Sequence, residues 1–303
     1  MAERNQHGEG DAAGPPTVAA ALRDATRRLE AVSDTARLDA ELLMARALGV
    51  SRSDLLLHHA GDPVPAGFAG LVARRIAHEP VAYILGRQDF FGRDFAVSRA
   101  VLIPRADSET VVAAALAACP APERVLDCGT GSGALLLTVL AERPGAAGIG
   151  IDRSPEALAV ARANAARLVP DAEVRLVAAD WRQAGWDKGL GRFDLILANP
   201  PYVEEGAVLP PAVRDWEPPG ALFAGPDGLD DYRALVPRLP GLLAPGGVAA
   251  VEIGAGQADA VTRIAQGAGM AAVLHRDLAG RPRALVLRSD DLRFGLGKAG
   301  ANH

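Results

Sequence analysis

The sequence predicts an α/β fold: a Rossmann-like domain built on a mainly parallel seven-stranded sheet, preceded by a small α-helical bundle and a β-hairpin linker. Three observations predict it. From Val111 onward, apolar strand-like runs alternate with helical patterns, as they do when helices cover both faces of a parallel sheet. Those runs end on polar residues, Asp127, Asp152, Asp180 and Asn199, where open α/β sheets place their ligands. Ahead of them, Thr17 to about His78 repeats apolar residues at spacings of three and four, the period of an amphipathic helix.

The chain has 303 residues, enough for two domains with a substantial core. With 49% hydrophobic and 23% charged residues, it reads as globular. A net charge of -5 argues against a phosphate-clamping basic surface and for a protein or small-molecule partner. Cys119 and Cys128, the only cysteines, are too few for a disulfide framework or a zinc site. The amino end lacks a signal-peptide layout, and no apolar run reaches the roughly 18 residues of a membrane span. The expectation is a cytoplasmic protein with no membrane contact and no metal.

The expected layout is a disordered tail over 1–16, a helical substrate-docking domain over 17–80, a hairpin linker over 81–106, the α/β domain over 107–289 and a second disordered tail over 290–303. In the helical part, one helix begins near Thr17. A second, capped by Ser33-Asp34, stops at Gly49, and a last one ends before Pro80. His58 and His59 have no other ligand type suitably spaced for a metal and read as surface or packing residues. Short apolar stretches broken by Gly86 and Gly92 suggest the hairpin, with Phe90, Phe91 and Phe95 as a small hydrophobic joint. The seven strands are then Arg124–Asp127, Ala147–Asp152, Val174–Asp180, Phe193–Ala198, Val248–Ile253, Ala271–Leu274 and Ala284–Leu287. A turn at Pro245-Gly-Gly247 precedes the fifth.

The strand ends carry the chemistry. Asp127-Cys-Gly129-Thr130-Gly131-Ser-Gly133 departs from the G-x-G-x-x-G of dinucleotide sites. Its leading acid is awkward beside a pyrophosphate but suits the ammonium of an amino-acid moiety. Asp152, roughly twenty residues on, fits ribose hydroxyls. Asp180 with Trp181 offers an acceptor for an adenine amino group and an apolar face beside it. Together these residues read as a site for S-adenosylmethionine, although Asp152 or Asp180 alone could equally cap a helix or brace a turn.

Asn199-Pro200-Pro201-Tyr202 ends the fourth strand. Consecutive prolines fix the backbone and leave free carbonyls, so an amide oxygen, a proline carbonyl and an aromatic face can converge on a planar NH2 group. Such a turn can also simply terminate a strand. Arg105 and Glu217 read either as substrate contacts or as a buried ion pair bracing the loop after Tyr202. Glu252 and Arg281 read as structural.

With these segments in view, the chain resembles the HemK/PrmC protein-glutamine methyltransferases. The resemblance rests on Pro80-Val-Ala-Tyr-Ile-Leu-Gly86, Leu102-Ile-Pro-Arg-Ala-Asp107, Asp127 to Gly133, Asn199 to Tyr202, Glu217-Pro-Pro-Gly-Ala-Leu222, Asp227-Gly-Leu229, Glu252-Ile-Gly254 and Asp277-Leu-Ala-Gly-Arg281. Cys128, Ala106 and Trp216 depart from the usual pattern. The resemblance implies a class I methyltransferase domain that moves a methyl group from S-adenosyl-L-methionine to the side-chain amide nitrogen of the glutamine in the Gly-Gly-Gln motif of peptide chain release factors. The other product is S-adenosyl-L-homocysteine. It further implies that no metal is required; a monomer is expected, and the acidic balance argues against direct nucleic-acid binding. Asn199 and Pro200 would then accept the amide hydrogens, with Tyr202 packed against the amide plane. Rival readings are an amino-methyltransferase acting on adenine or on a ribosomal protein, a nicotinamide-dependent dehydrogenase, and an inert cofactor-binding module.

Overall fold

The computed structural model describes residues 16–289; the tails expected to be disordered, save Pro16, lie outside them. The chain divides into two compact units between Leu85 and Gly86.

The first unit is helical: α1 (Val18–Leu29), α2 (Ala36–Leu48), α3 (Arg52–His58), α4 (Phe68–Ile76) and α5 (Val81–Leu85). Thr17 and Ser51 cap α1 and α3 through their side chains, and Gly49 ends α2 in the left-handed conformation, where a Cβ would be strained. The expected cap of α2 shifts to Thr35. The Ser33 hydroxyl instead donates to Asp39 at 2.7 Å, and Asp39 in turn receives Arg75 at 2.7 Å. Val18, Leu29, Leu43, Met44, Leu55 and Val72 form the core. Val81–Leu85, expected in the linker, closes this unit as a helix.

The second unit opens with the hairpin β1 (Arg87–Phe90) and β2 (Arg93–Ala96), then α6 (Glu109–Ala118), β3 (Arg124–Cys128), α7 (Ala134–Glu142), β4 (Ala147–Asp152), α8 (Pro155–Leu168), β5 (Val174–Ala178) and β6 (Phe193–Ala198). It continues with α9 (Pro211–Arg214), α10 (Asp230–Leu235), α11 (Leu239–Leu242), β7 (Leu243–Glu252), α12 (Ala258–Gly267), β8 (Met270–Arg276) and β9 (Pro282–Ser289). The seven-stranded sheet runs β5-β4-β3-β6-β7-β9-β8. Neighbours from β5 to β7 are parallel, and β9 runs antiparallel to both β7 and β8. After β3 the chain builds outward through β4 and β5, then returns to the other side of β3 with β6. That reversal opens a crevice at the carboxyl ends of β3 and β6.

Alternation along the strands decides the two cores. Leu126, Ile196, Ala249 and Leu285 face one, packed on Tyr232, Leu235, Leu239 and Val261. Val125, Leu195, Ala250 and Val286 face the other, against Val112, Leu136, Val139 and Leu140. Burial on both faces explains why these strands read as continuous apolar runs.

Phe90 and Phe95 are buried in the second of these cores, ring centroids 6.0 Å apart and nearly perpendicular, so they build the α/β unit instead of a joint. Asn164 of α8, fully buried, secures the hairpin: its amide donates to Ala96 O at 3.0 Å and Ser132 O at 2.9 Å, and its oxygen accepts the Ala96 amide at 2.8 Å. The expected turn at Pro245–Gly247 is a bulge within β7, because Phe193 pairs with Leu243 while Leu195 pairs with Val248. Among the described residues, no helix is long and apolar enough to cross a membrane.

Candidate active site

A cavity of about 230 Å³ opens at the crevice. Of the residues singled out from the sequence, Asp127, Gly129, Thr130, Gly131, Asp152, Asp180, Trp181, Asn199, Pro201 and Arg105 line it. Gly133, Pro200, Tyr202 and Glu217 are not part of its wall.

The floor is the turn between β3 and α7. Gly129, Gly131 and Gly133 all take positive φ, which lets the chain double back tightly. The Gly129 and Thr130 amides both donate to Ile151 O at 2.9 Å, and the Gly131 amide donates to Asp152 Oδ2 at 2.9 Å. Gly133 serves packing: a Cβ there would lie 2.7 Å from Leu137 Cδ1.

Asp127 is 1% exposed. Its Oδ2 accepts the Thr130 hydroxyl at 2.7 Å, while Oδ1 has no hydrogen-bond partner of normal geometry. Burial pushes this carboxyl up to about 7; the Thr130 hydroxyl and the Leu136 amide oppose the rise, and the Asp152 charge adds to it. A buried carboxylate on a cavity wall, one of its oxygens without a hydrogen-bond partner of normal geometry, is short of a cationic partner.

Asp152 Oδ1 accepts the Ser154 amide at 2.9 Å. The turn-bracing role thus holds; each oxygen accepts one backbone amide and keeps lone-pair capacity beyond it, and the residue lines the cavity. Asp180 lies two residues beyond the end of β5. Trp181 is held by Asp231, which accepts its indole N–H at 2.8 Å and also pairs with Arg182 at 2.7 Å.

Asn199 is half-buried, with Pro200 and Pro201 buried behind and beside it. The Tyr202 phenol reaches Glu252 Oε1 at 3.4 Å, and burial together with the Glu252 charge pushes it up to about 12. It therefore stays protonated and acts as a brace. Glu252, 1% exposed, is pushed by burial up to about 7, with Ser108, Arg283 and Tyr202 opposing.

Arg105 forms an ion pair with buried Glu217. Burial raises the Glu217 carboxyl and the Arg105 charge opposes that. Glu217 thus holds the guanidinium at the cavity rim, which makes the brace the better description of the pair while Arg105 itself remains accessible from the cavity.

Asp231, Ser108, Arg153, Arg283 and Gln257 were not singled out from the sequence. Asp231 carried one faint signal, an acidic pair opening a helix. Arg283, and not the neighbouring Arg281, joins Asp107 at 2.8 Å and Asp277 at 3.4 Å.

Residues 20–86 match the model of the PrmC N-terminal domain, and residues 121–227 that of a methyltransferase domain. A release factor glutamine methyltransferase of Cereibacter sphaeroides is 46% identical over 88% of this chain and 97% of its own length. One from Rhodospirillum rubrum is 41% identical over 88% of this chain and 83% of its own. A solved methyltransferase structure from Pyrococcus furiosus aligns with a TM-score of 0.49 at 20% identity, over 72% of this chain and 97% of that one.

A seven-stranded α/β sheet with a glycine-rich turn and acidic strand ends around one cavity is, in this chain, a methyltransferase domain. Identity at this level over nearly the whole chain narrows the class: the protein belongs to the release factor glutamine methyltransferase family.

Proposed function

We propose that the protein transfers a methyl group from S-adenosyl-L-methionine to the side-chain amide nitrogen of the glutamine in the Gly-Gly-Gln motif of peptide chain release factors, and so modulates translation termination. The observation that carries this reading is the placement of Asp127 and Asn199 on one cavity: a buried carboxylate with an unpartnered oxygen and an amide-bearing turn.

The residues present fit the donor. Asp127 Oδ1 would take the ammonium, Asp152 the ribose hydroxyls, and Asp180 with Trp181 the adenine. When bound, the donor supplies an electrophilic methyl on a sulfonium. The remaining work belongs to the chain. An amide nitrogen is a weak nucleophile because its lone pair is delocalised, so positioning and electrostatics must carry the rate. Asn199 Oδ1, and the Pro200 carbonyl reached as the glutamine enters beside Pro201, accept the two amide hydrogens and aim the nitrogen. Transfer would exchange the donor's C–S bond for the new C–N bond, and the amide would give up one proton. Tyr202, anchored on Glu252, fixes the turn from behind.

The helical unit, which holds none of these groups, is assigned the docking of the release factor. The test is mass spectrometry of purified release factor after incubation with enzyme and donor. One added methyl on the Gly-Gly-Gln glutamine is expected; an unmodified glutamine contradicts the reading.

A further inference from the structure

The turn that carries Asn199 is held from outside its own segment. Gln257, the residue before α12, has its whole amide engaged with backbone. Its Nε2 donates to Tyr202 O at 3.0 Å and to Gly228 O at 3.1 Å, and its Oε1 accepts the Gly254 amide at 3.1 Å. Those three groups belong to the turn after β6, the loop before α10 and the residues just past β7. One side chain therefore ties together three segments that meet only in the folded chain.

The fit has no slack. A Cβ on Gly228 would lie 2.3 Å from Tyr202 O and 2.9 Å from Gln257 Nε2, and one on Gly254 would lie 2.8 Å from Gln257 Oε1. The far end of Tyr202 is held as well, by Glu252 Oε1 at 3.4 Å, while the Glu252 carbonyl accepts the Tyr232 hydroxyl at 2.9 Å. Tyr202 is thus gripped at its carbonyl and at its phenol by residues from the end of β7 onward.

We infer that Gln257 is a positioning residue for methyl transfer, setting the direction of the Asn199 amide through the Tyr202 carbonyl; this rests on the function proposed above. Two chemical facts make the inference specific. A carbonyl can be tethered only by a donor, so the Nε2 group is what matters at Tyr202 and Gly228. A misplacement of about 1 Å at a reacting group can cost about 100-fold in rate, whereas the donor pocket, formed by the ends of β3, β4 and β5, does not involve Gln257.

The test compares Gln257→Ala and Gln257→Glu with wild type, measuring kcat, the KM for release factor, and the donor Kd by calorimetry. Glutamate keeps the volume but turns the donor into a second acceptor facing two carbonyls. The expected result is a kcat lower by about 10-fold or more in both variants, with glutamate no better than alanine. Donor Kd should stay within about 3-fold of wild type, which also reports a folded domain. A near wild-type kcat in Gln257→Glu would mean that the side chain only fills space, and would overturn the inference. So would a loss of donor affinity as large as the loss of kcat. If circular dichroism shows one variant to be unfolded, Gln257→Met, which keeps the length of the side chain without its amide, is held to the same criterion. Absence of methyl transfer in the wild type overturns the functional reading, whereas equal rates in wild type and variants overturn only the role of Gln257.

Discussion

The Trp181 indole lies so close to Gly129 that a Cβ on the glycine would sit 3.0 Å from Trp181 Cη2. The glycine-rich turn and the end of β5 therefore share one wall of the cavity, and the indole cannot retreat without giving up its bond to Asp231.

Gly129→Ala should accordingly weaken donor binding. The backbone there has φ of +77°, a conformation that costs a residue with a Cβ about 1–2 kcal/mol, and the added methyl pushes the indole. A rise in donor Kd of about 10-fold or more is expected by calorimetry; an unchanged Kd would show that the turn and Trp181 do not form the donor site.

Asp127→Asn separates function from stability. The substitution keeps the volume and a partner for Thr130 but removes the charge offered to the donor's ammonium. Donor Kd should rise at least about 10-fold, in keeping with about 1.5–3 kcal/mol for a charge-assisted bond. The ligand-free protein should become more stable at pH 8, its melting temperature rising by about 2 °C or more. Loss of both affinity and stability would contradict the idea that the Asp127 charge is buried for the donor.

The pH dependence follows from the same carboxyl. Asp127 is raised from its ordinary 3.8 to about 7 in the ligand-free fold, chiefly by burial. Its proton is held more tightly in the folded than in the unfolded chain. The stability it contributes is therefore full below about pH 4 and is lost as pH rises through about 7. Donor binding has the opposite sense, because only the ionised carboxyl pairs with an ammonium. Calorimetry should show donor Kd rising as pH falls below about 7, with uptake of the donor coupled to release of up to one proton, and Asp127→Asn should flatten that profile. A profile unchanged by the substitution would assign the titration elsewhere.

Much of this was legible in the sequence because the informative residues sit at strand ends, where an apolar run stops on a polar group. Asp127, Asp152, Asp180 and Asn199 were visible in that way, and the cavity gathers all four. Val81–Leu85 was misread because a short apolar run has no period long enough to tell helix from strand. Phe90 and Phe95 were placed in a joint because their core partners lie on helices later in the chain. Asn164, Asp231 and Gln257 gave little signal. Each bonds to residues 29 or more positions away, and a lone polar side chain in a helical pattern looks like solvent-facing surface until the fold supplies its partners. Tyr202 was expected to pack against the amide plane of the substrate, but its phenol turns to Glu252 and the residue is not part of the cavity wall.

The central claim, that Asn199 aims a glutamine amide at the methyl donor, is tested most directly by mass spectrometry of release factor incubated with wild type or Asn199→Ala. The account predicts a single methyl on the Gly-Gly-Gln glutamine with wild type and a rate about 100-fold lower or worse in the variant, with donor Kd within about 2-fold. A variant that methylates the same glutamine at close to the wild-type rate would contradict it.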